Sequence, residues 1–173
     1  MKETRLLMGM PITIEVLDPS ATQSTLDAVF AYFQTVDDTF STYKDTSEVA
    51  KLNRGEVSPD QVSQELRTIL ALAEQTHRET DGYFDIWREG RCDPSGIVKG
   101  WAIRNAAQLL EEAGWLNYSV DAGGDMQVAG LKDGRPWRVG IRNPFNRHEH
   151  VKVLSLTECG VATSGTAIRG QHI

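Results

Sequence analysis

The chain has 173 residues, 40% of them apolar, and its 18 basic and 24 acidic residues give a formal net charge of -6. This length and composition suffice for one domain with its own core. No segment concentrates lysine and arginine, so we do not expect a nucleic-acid partner. No apolar run is long enough to span a bilayer, which predicts no transmembrane segment. No leader pattern follows Met1, so we expect a cytoplasmic location, unless a targeting segment has been removed.

The first elements are predicted from apolar spacing. Residues 6–17 alternate after Pro11 and predict a strand. A helical stripe then predicts a helix packed on the core: Leu26, Val29, Phe30, Phe33, Val36 and Phe40. Residues 41–48 break this pattern and predict a loop, and residues 48–53 predict a short helix.

A further helix is predicted from its capping signals. Ser58 suits the N-cap, Pro59 the first helical position, and Gln61 completes a capping box. The predicted buried stripe is Val62, Leu66, Ile69, Leu70 and Ala73. We expect this helix to end near residues 80–82.

The last third of the chain changes from helix to strand. Residues 96–113 predict a helix that Gly114 ends in a left-handed conformation. Five β-rich segments follow: 118–120, 126–131, 137–141, 151–156 and 161–163. Helices mainly in the first two-thirds and strands in the last third predict an α+β fold with a mostly antiparallel sheet.

Three polar glycine loops are the strongest functional signal. The first glycine loop (residues 93–100) runs into a helix, the second spans residues 121–125, and the third spans residues 162–166. Glycine lets an anion approach, and backbone N–H groups at a helix start attract it, so the loops indicate a pocket for a phosphorylated ligand. The alternative is that each loop is only a helix cap or a strand turn.

Lys99 lies in the first turn of the helix that follows the first glycine loop, where its charge would suit a phosphate. The alternative is a solvated lysine on an exposed face. Neither a Walker loop nor a GxGxxG fingerprint is present. Asp93, Asp121 and Asp125 lie in or beside the loops, where they would hold a hard cation or bond to their own backbone.

Aromatic and titratable residues complete the candidates. Tyr43, Tyr83 and Phe84 fall in loops, where they would stack on a flat ring or anchor the loop. We expect Phe84 to point inward and Asp85 to lie at a rim. His172 is a candidate general base, with a surface or packing role as the alternative.

In chain order, these blocks resemble the ApbE family of flavin transferases. The matching blocks are Met8-Gly9-Met10 (methionine in the family's threonine position), residues 41–47 with Leu52-Asn53, residues 81–85, 96–102, 121–125, 162–165 and His172-Ile173. The resemblance implies an ApbE-like, T-fold-like α+β domain over residues 1–173. Because the family pattern continues past the histidine, we expect this chain to lack the C-terminal portion of the domain.

The resemblance also implies a reaction and its site. Family members move FMN from FAD onto a threonine or serine hydroxyl of an acceptor protein and release AMP. It implies that FAD contacts Met8, Tyr43, Tyr83, Phe84, Asp85, Asp93, Lys99 and Ile173, that the Gly96 carbonyl binds Mg²⁺, and that His172 is the base. Two alternatives are an FAD-binding protein without transferase activity and a pyrophosphatase that hydrolyses FAD to FMN and AMP.

Overall fold

The computed structural model describes residues 1–146 and 148–165. In chain order, the elements of this part are β1 (Lys2–Leu7), β2 (Met10–Val16), α1 (Gln23–Phe40), α2 (Glu48–Asn53), α3 (Gln64–Glu79), β3 (Trp87–Arg88), β4 (Arg91–Cys92), α4 (Ser95–Glu112), β5 (Tyr118–Ala122), β6 (Asp125–Ala129), β7 (Trp137–Arg142), β8 (His150–Leu156) and β9 (Cys159–Val161). The predicted α+β class is confirmed.

An antiparallel five-stranded sheet of order β1-β2-β5-β6-β9 carries the fold. Helices α1 and α4 share one core with strands β2 and β5, and every residue of the stripe predicted for α1 is buried. Trp101 of α4 packs edge-on against Phe40 of α1, with 5.6 Å between the ring centroids. This packing fixes α4, and with it the helix start that follows the first glycine loop. Strands β7 and β8 form a separate hairpin.

The strand predicted over residues 6–17 is wrong, because the chain turns back within it. Met8 and Gly9 both have positive φ angles, 53° and 69°, and Leu7 pairs with Met10 across the turn. Two-residue turns of this handedness favour the twist of a β-hairpin. The pattern hid the turn because methionine rarely adopts a positive φ.

The predicted start of the third helix is also wrong. The Ser58 N–H does donate to the Gln61 side-chain oxygen at 3.0 Å. The Gln61 N–H, however, donates to the Ser58 backbone carbonyl at 2.9 Å and not to its hydroxyl, so these bonds close an isolated turn instead of a capping box. Helix α3 begins at Gln64, where the Ser63 hydroxyl accepts from the Leu66 N–H. Ser63 in turn donates its hydroxyl to Glu48 of α2 at 2.6 Å. A contact distant in sequence therefore selects the cap.

The remaining boundaries agree more closely. Helix α4 and the left-handed Gly114 (φ 86°) are as expected. The last strand covers Cys159–Val161 instead of residues 161–163, because Thr163 bonds to the second glycine loop. Strands β3 and β4 are too short for a periodic pattern and were not predicted. Among the helices of the described residues, none has the length and apolarity needed to cross a membrane.

Candidate functional site

The three glycine loops meet at Asp125. One of its carboxylate oxygens, Oδ2, lies 2.5 Å from Lys99 Nζ in the first turns of α4. The other, Oδ1, accepts a 2.7 Å hydrogen bond from the Thr163 backbone N–H. The Lys99 and Asp125 side chains are both partly buried, with exposed fractions of 24% and 17%. The loops predicted to share one ligand are thus brought together by direct bonds.

The second glycine loop is closed by one bond of its own and one from the third glycine loop. Asp121 Oδ1 accepts from the Gly124 N–H at 2.9 Å, and Thr163 Oγ1 donates to the Gly124 carbonyl at 2.7 Å. Gly123 and Gly124 have φ angles of 60° and 97°, which only glycine adopts without strain. Asp121 therefore serves its own turn, the alternative left open from its sequence position.

The hairpin turn at Met8-Gly9 lies beside the same loop. A Cβ atom on Gly123 would lie only 3.1 Å from the Met10 sulfur, and the Gly123 N–H donates to the Pro11 carbonyl at 3.1 Å. Met8 itself packs against the main core. The first strands thus form one side of the region in which the loops converge.

Asp93 lies just before α4. Its Oδ1 accepts from the Ser95 N–H at 3.1 Å, so this exposed carboxylate satisfies the first backbone N–H of α4 from the residue before the N-cap, Pro94. The residue before it, Cys92, is held by Asn53 of α2: the Asn53 amide donates to the Cys92 carbonyl at 2.9 Å and accepts from its N–H at 2.7 Å. Burial raises the pKa of the Cys92 thiol to about 11, and the Asp93 charge adds to the shift.

The role of Asn53 was not predicted. Asn53 belongs to one of the blocks that resemble the ApbE family, but no spacing in the sequence connects it to Cys92. Its amide acts as a strand partner for Cys92 and so fixes the chain where it enters the first glycine loop.

Phe84 approaches the start of α4 from the other side. A Cβ atom on Gly96 would lie 3.0 Å from Phe84 Cε2, so any other residue here would require the ring to shift by a few tenths of an ångström. Thr80 Oγ1 accepts from the Phe84 N–H, and His77 Nδ1 lies 3.0 Å from the Phe84 carbonyl oxygen. As expected, Phe84 points inward, and Asp85 is exposed, accepting from the Trp87 N–H.

The two candidate tyrosines are not packed into this region. The side chains of Tyr43 and Tyr83 are 95% and 97% exposed. The loop that carries Tyr43 is nevertheless anchored, because the buried Ser47 donates its hydroxyl to the Ser41 carbonyl at 2.6 Å. Lys44 also pairs with Asp37 and Asp38 of α1.

A cavity of about 560 Å³ lies near these residues but away from Lys99. It is lined by α3 together with residues 85–87, among them Arg67, His77 and Trp87. Asp85 is the one residue it shares with the predicted site. We place the candidate site at the bonded loops instead, because they bring the lysine, the carboxylates and the helix start together.

The metal and base predictions are covered only in part by the described residues. Within residues 1–146 and 148–165, no three carboxylate, histidine or cysteine side chains come close enough to hold a metal ion. Gly96, the predicted metal ligand, lies exposed at the start of α4 and would offer one backbone carbonyl oxygen. These residues therefore do not by themselves provide a metal coordination shell. His172 and Ile173 lie outside the described residues.

Comparison with known protein families shows which family the chain belongs to. The sequence model of the ApbE family matches residues 8–90 and 87–171. The chain belongs to the ApbE family. The match spans the blocks that carry the resemblance, from the Met8 turn to the third glycine loop.

Individual ApbE relatives agree with this assignment. A Haemophilus influenzae protein named FAD:protein FMN transferase is 23% identical, and the match covers 95% of this chain and 67% of that protein. A Vibrio cholerae protein of the same name is 37% identical over 75 residues, which cover 42% of this chain and 22% of that protein.

Solved ApbE structures share the fold. The flavin transferase ApbE from Vibrio cholerae superposes with a TM-score of 0.85 at 22% identity, covering 98% of this chain and 72% of that one. The ApbE protein from Thermotoga maritima gives a TM-score of 0.81 at 21% identity, covering 95% and 70%. The family, the fold class and the enzyme class predicted from the sequence, a transferase, are confirmed. The individual site residues stay predictions.

Proposed function

We propose that this chain transfers FMN from FAD to a threonine or serine hydroxyl of an acceptor protein, with Mg²⁺, and releases AMP. Membership of the ApbE family and relatives named FAD:protein FMN transferase support the reaction class. The observation that carries the proposal is the convergence of three glycine loops at the pair formed by Lys99 and Asp125. This convergence offers one place for a pyrophosphate.

The reaction exchanges one phosphorus–oxygen bond for another. The acceptor oxygen bonds to the phosphorus of the FMN half, the bond from that phosphorus to the bridging oxygen breaks, and AMP leaves with that oxygen. Lys99 and the N–H groups at the start of α4 would balance the negative charge of the pyrophosphate. The proton of the acceptor hydroxyl would pass to His172, because an imidazole titrates near neutral pH.

The proposed FAD contacts are those implied by the resemblance: Met8, Tyr43, Tyr83, Phe84, Asp85, Asp93, Lys99 and Ile173. The three aromatic residues would stack on rings of the dinucleotide, and Lys99 would bind its phosphates. The Gly96 carbonyl is one proposed ligand of Mg²⁺. A bound Mg²⁺ would further neutralise the negative charge of the pyrophosphate.

A transfer assay tests the proposal. The protein is incubated with FAD, MgCl₂ and candidate acceptor peptides that each carry one threonine or serine. The products are then separated by chromatography and identified by mass spectrometry. We expect a peptide carrying FMN and an equal amount of AMP. Matched peptides with valine or alanine at the acceptor position should stay unmodified. Free FMN with AMP would instead indicate hydrolysis, and bound but unchanged FAD would indicate a binding protein.

The role of His172 is tested in the same assay. His172→Ala should retain FAD binding, measured by calorimetry, and should slow transfer, because the acceptor hydroxyl keeps its proton. An equal loss of binding and transfer would contradict the role as base and indicate that the histidine shapes the pocket.

A further inference from the structure

We propose that Asp125 is a positioning residue that holds the Lys99 ammonium and the third glycine loop in place for the pyrophosphate. This inference rests on the proposed function for the identity of the ligand. It follows from two contacts of one carboxylate: an ion pair with Lys99 Nζ at 2.5 Å and a hydrogen bond accepted from the Thr163 N–H at 2.7 Å.

The pairing prepares Lys99 for an anion. A lysine side chain has many rotamers, and fixing it on binding costs entropy. Asp125 fixes the ammonium before any ligand arrives, so that cost is met by folding. An ammonium has three N–H donors, and Asp125 faces it from one side as an ion pair. The donors on its other sides remain for phosphate oxygens.

The second bond extends this control to the third glycine loop. Thr163 is held from two sides, since its N–H donates to Asp125 and its hydroxyl donates to the Gly124 carbonyl. A single carboxylate therefore connects the start of α4 to residues 162–165. Asp121, in the same loop, accepts from the local Gly124 N–H, which makes it a useful comparison.

The direct charge effect of Asp125 and its positioning effect predict opposite changes in FAD affinity when this carboxylate is neutralised. An aspartate near a pyrophosphate repels it, so neutralising Asp125 should tighten FAD binding if its charge acts directly on the ligand. If Asp125 acts by positioning Lys99, neutralising it should weaken binding. The sign of the change separates the two roles.

The binding test uses two variants of different severity. Asp125→Asn removes the charge that faces Lys99 and retains an oxygen for the Thr163 N–H, whereas Asp125→Ala removes both. By calorimetry we expect Asp125→Asn to weaken FAD binding about tenfold, as for a lost hydrogen bond to a charged group. Asp125→Ala should weaken it further, and riboflavin, which has no phosphate, should bind both variants as it binds the wild type.

Asp121→Asn is the charge-matched control, because it neutralises a carboxylate of the same loop that does not pair with Lys99. Its effect on FAD binding should be smaller than that of Asp125→Asn. Unchanged or tighter FAD binding by Asp125→Asn would overturn the proposal, and so would an equal loss of riboflavin binding.

A double-mutant cycle shows whether the effect passes through Lys99. In a Lys99→Ala background, Asp125→Asn should no longer weaken FAD binding. The same tenfold loss in both backgrounds would contradict a role through Lys99. Thermal unfolding of each variant identifies any general loss of structure.

A measurement without FAD keeps this inference separate from the proposed function. Acetic anhydride acetylates free lysines, and mass spectrometry gives the rate at Lys99 relative to the exposed Lys152. We expect Asp125→Asn to increase the relative rate at Lys99, and an unchanged rate would overturn the positioning role. A wild-type protein that fails to bind FAD would contradict the proposed function, whichever result the acetylation gives.

Discussion

The glycine loops and the tyrosine loops of the candidate site are organised differently. The glycine loops are bonded to one another through Lys99, Asp125 and Thr163. The loop of Tyr43 is anchored by Ser47, and the Tyr83 N–H donates to the Thr80 carbonyl, but both tyrosine side chains are almost fully exposed. In the proposed FAD site, the loops proposed to bind the phosphates are therefore ordered in advance, whereas FAD would have to order the two tyrosine side chains, at a cost in entropy.

The largest effect is expected at Lys99. Lys99→Ala removes the cation of the ordered loops and should weaken FAD binding about 10- to 100-fold, as for lost hydrogen bonds to a charged group. Calorimetry with FAD and with riboflavin should show the loss for FAD alone. Lys152→Ala, on the separate hairpin of β7 and β8, is the control and should leave FAD binding unchanged. Unaltered FAD affinity of Lys99→Ala would argue against placing the phosphates here.

A variant of Asn53 tests whether the first glycine loop depends on the hydrogen bonds between Asn53 and Cys92. Asn53→Leu leaves the Cys92 N–H and carbonyl without their partner and should lower the free energy of unfolding by about 2 kcal/mol. Denaturant unfolding measures this change. Asn105→Leu is the control for a lost side-chain amide, because Asn105 donates to Tyr32 and not to Cys92.

The labelling rate of the Cys92 thiol measures the effect of Asn53→Leu at the strand that Asn53 contacts. With a folded-state pKa of about 11, about one Cys92 thiol in a thousand is ionised at pH 8, so a maleimide should react slowly with it. The rate should increase with pH up to about 11 and level off above it, whereas an ordinary thiol levels off near 9.0. Asn53→Leu should speed labelling at pH 8, and Asn105→Leu should not. Equal rates in both variants would show that Asn53 does not hold this strand.

The smallest effect is expected at the tyrosines. Tyr43→Ala and Tyr83→Ala should each weaken FAD binding about 2- to 10-fold, because each removes one stacking surface that was not ordered beforehand. Thermal unfolding should not change, since neither ring packs on the core. A loss as large as that of Lys99→Ala would mean that the aromatic side chains dominate recognition.

Sequence reasoning succeeded where the pattern is local. The stripe on α1 and the left-handed Gly114 follow from helical spacing and from the conformational freedom of glycine. The resemblance to the ApbE family, carried by short blocks in order, also predicted the fold. Each of these features depends on residues close to one another in the chain.

Sequence reasoning failed where a distant residue decides. Ser63 rather than Ser58 caps α3 because Glu48 holds it. The pairing of Lys99 with Asp125 and the contact of Asn53 with Cys92 likewise join separate elements. No spacing rule within one element predicts such contacts. The hairpin at Met8 was missed for a local reason instead, since methionine rarely adopts a positive φ angle.

The pairing of β2 with β5 also determines when the site forms. Ile12 lies opposite Ala122, so a strand made early in synthesis must wait for one made more than a hundred residues later. Strands that pair across so long a sequence separation form more slowly than local helical contacts. The second glycine loop follows β5 directly and is bonded to Pro11. We therefore expect nascent chains on the ribosome to remain empty of cofactor until this late closure.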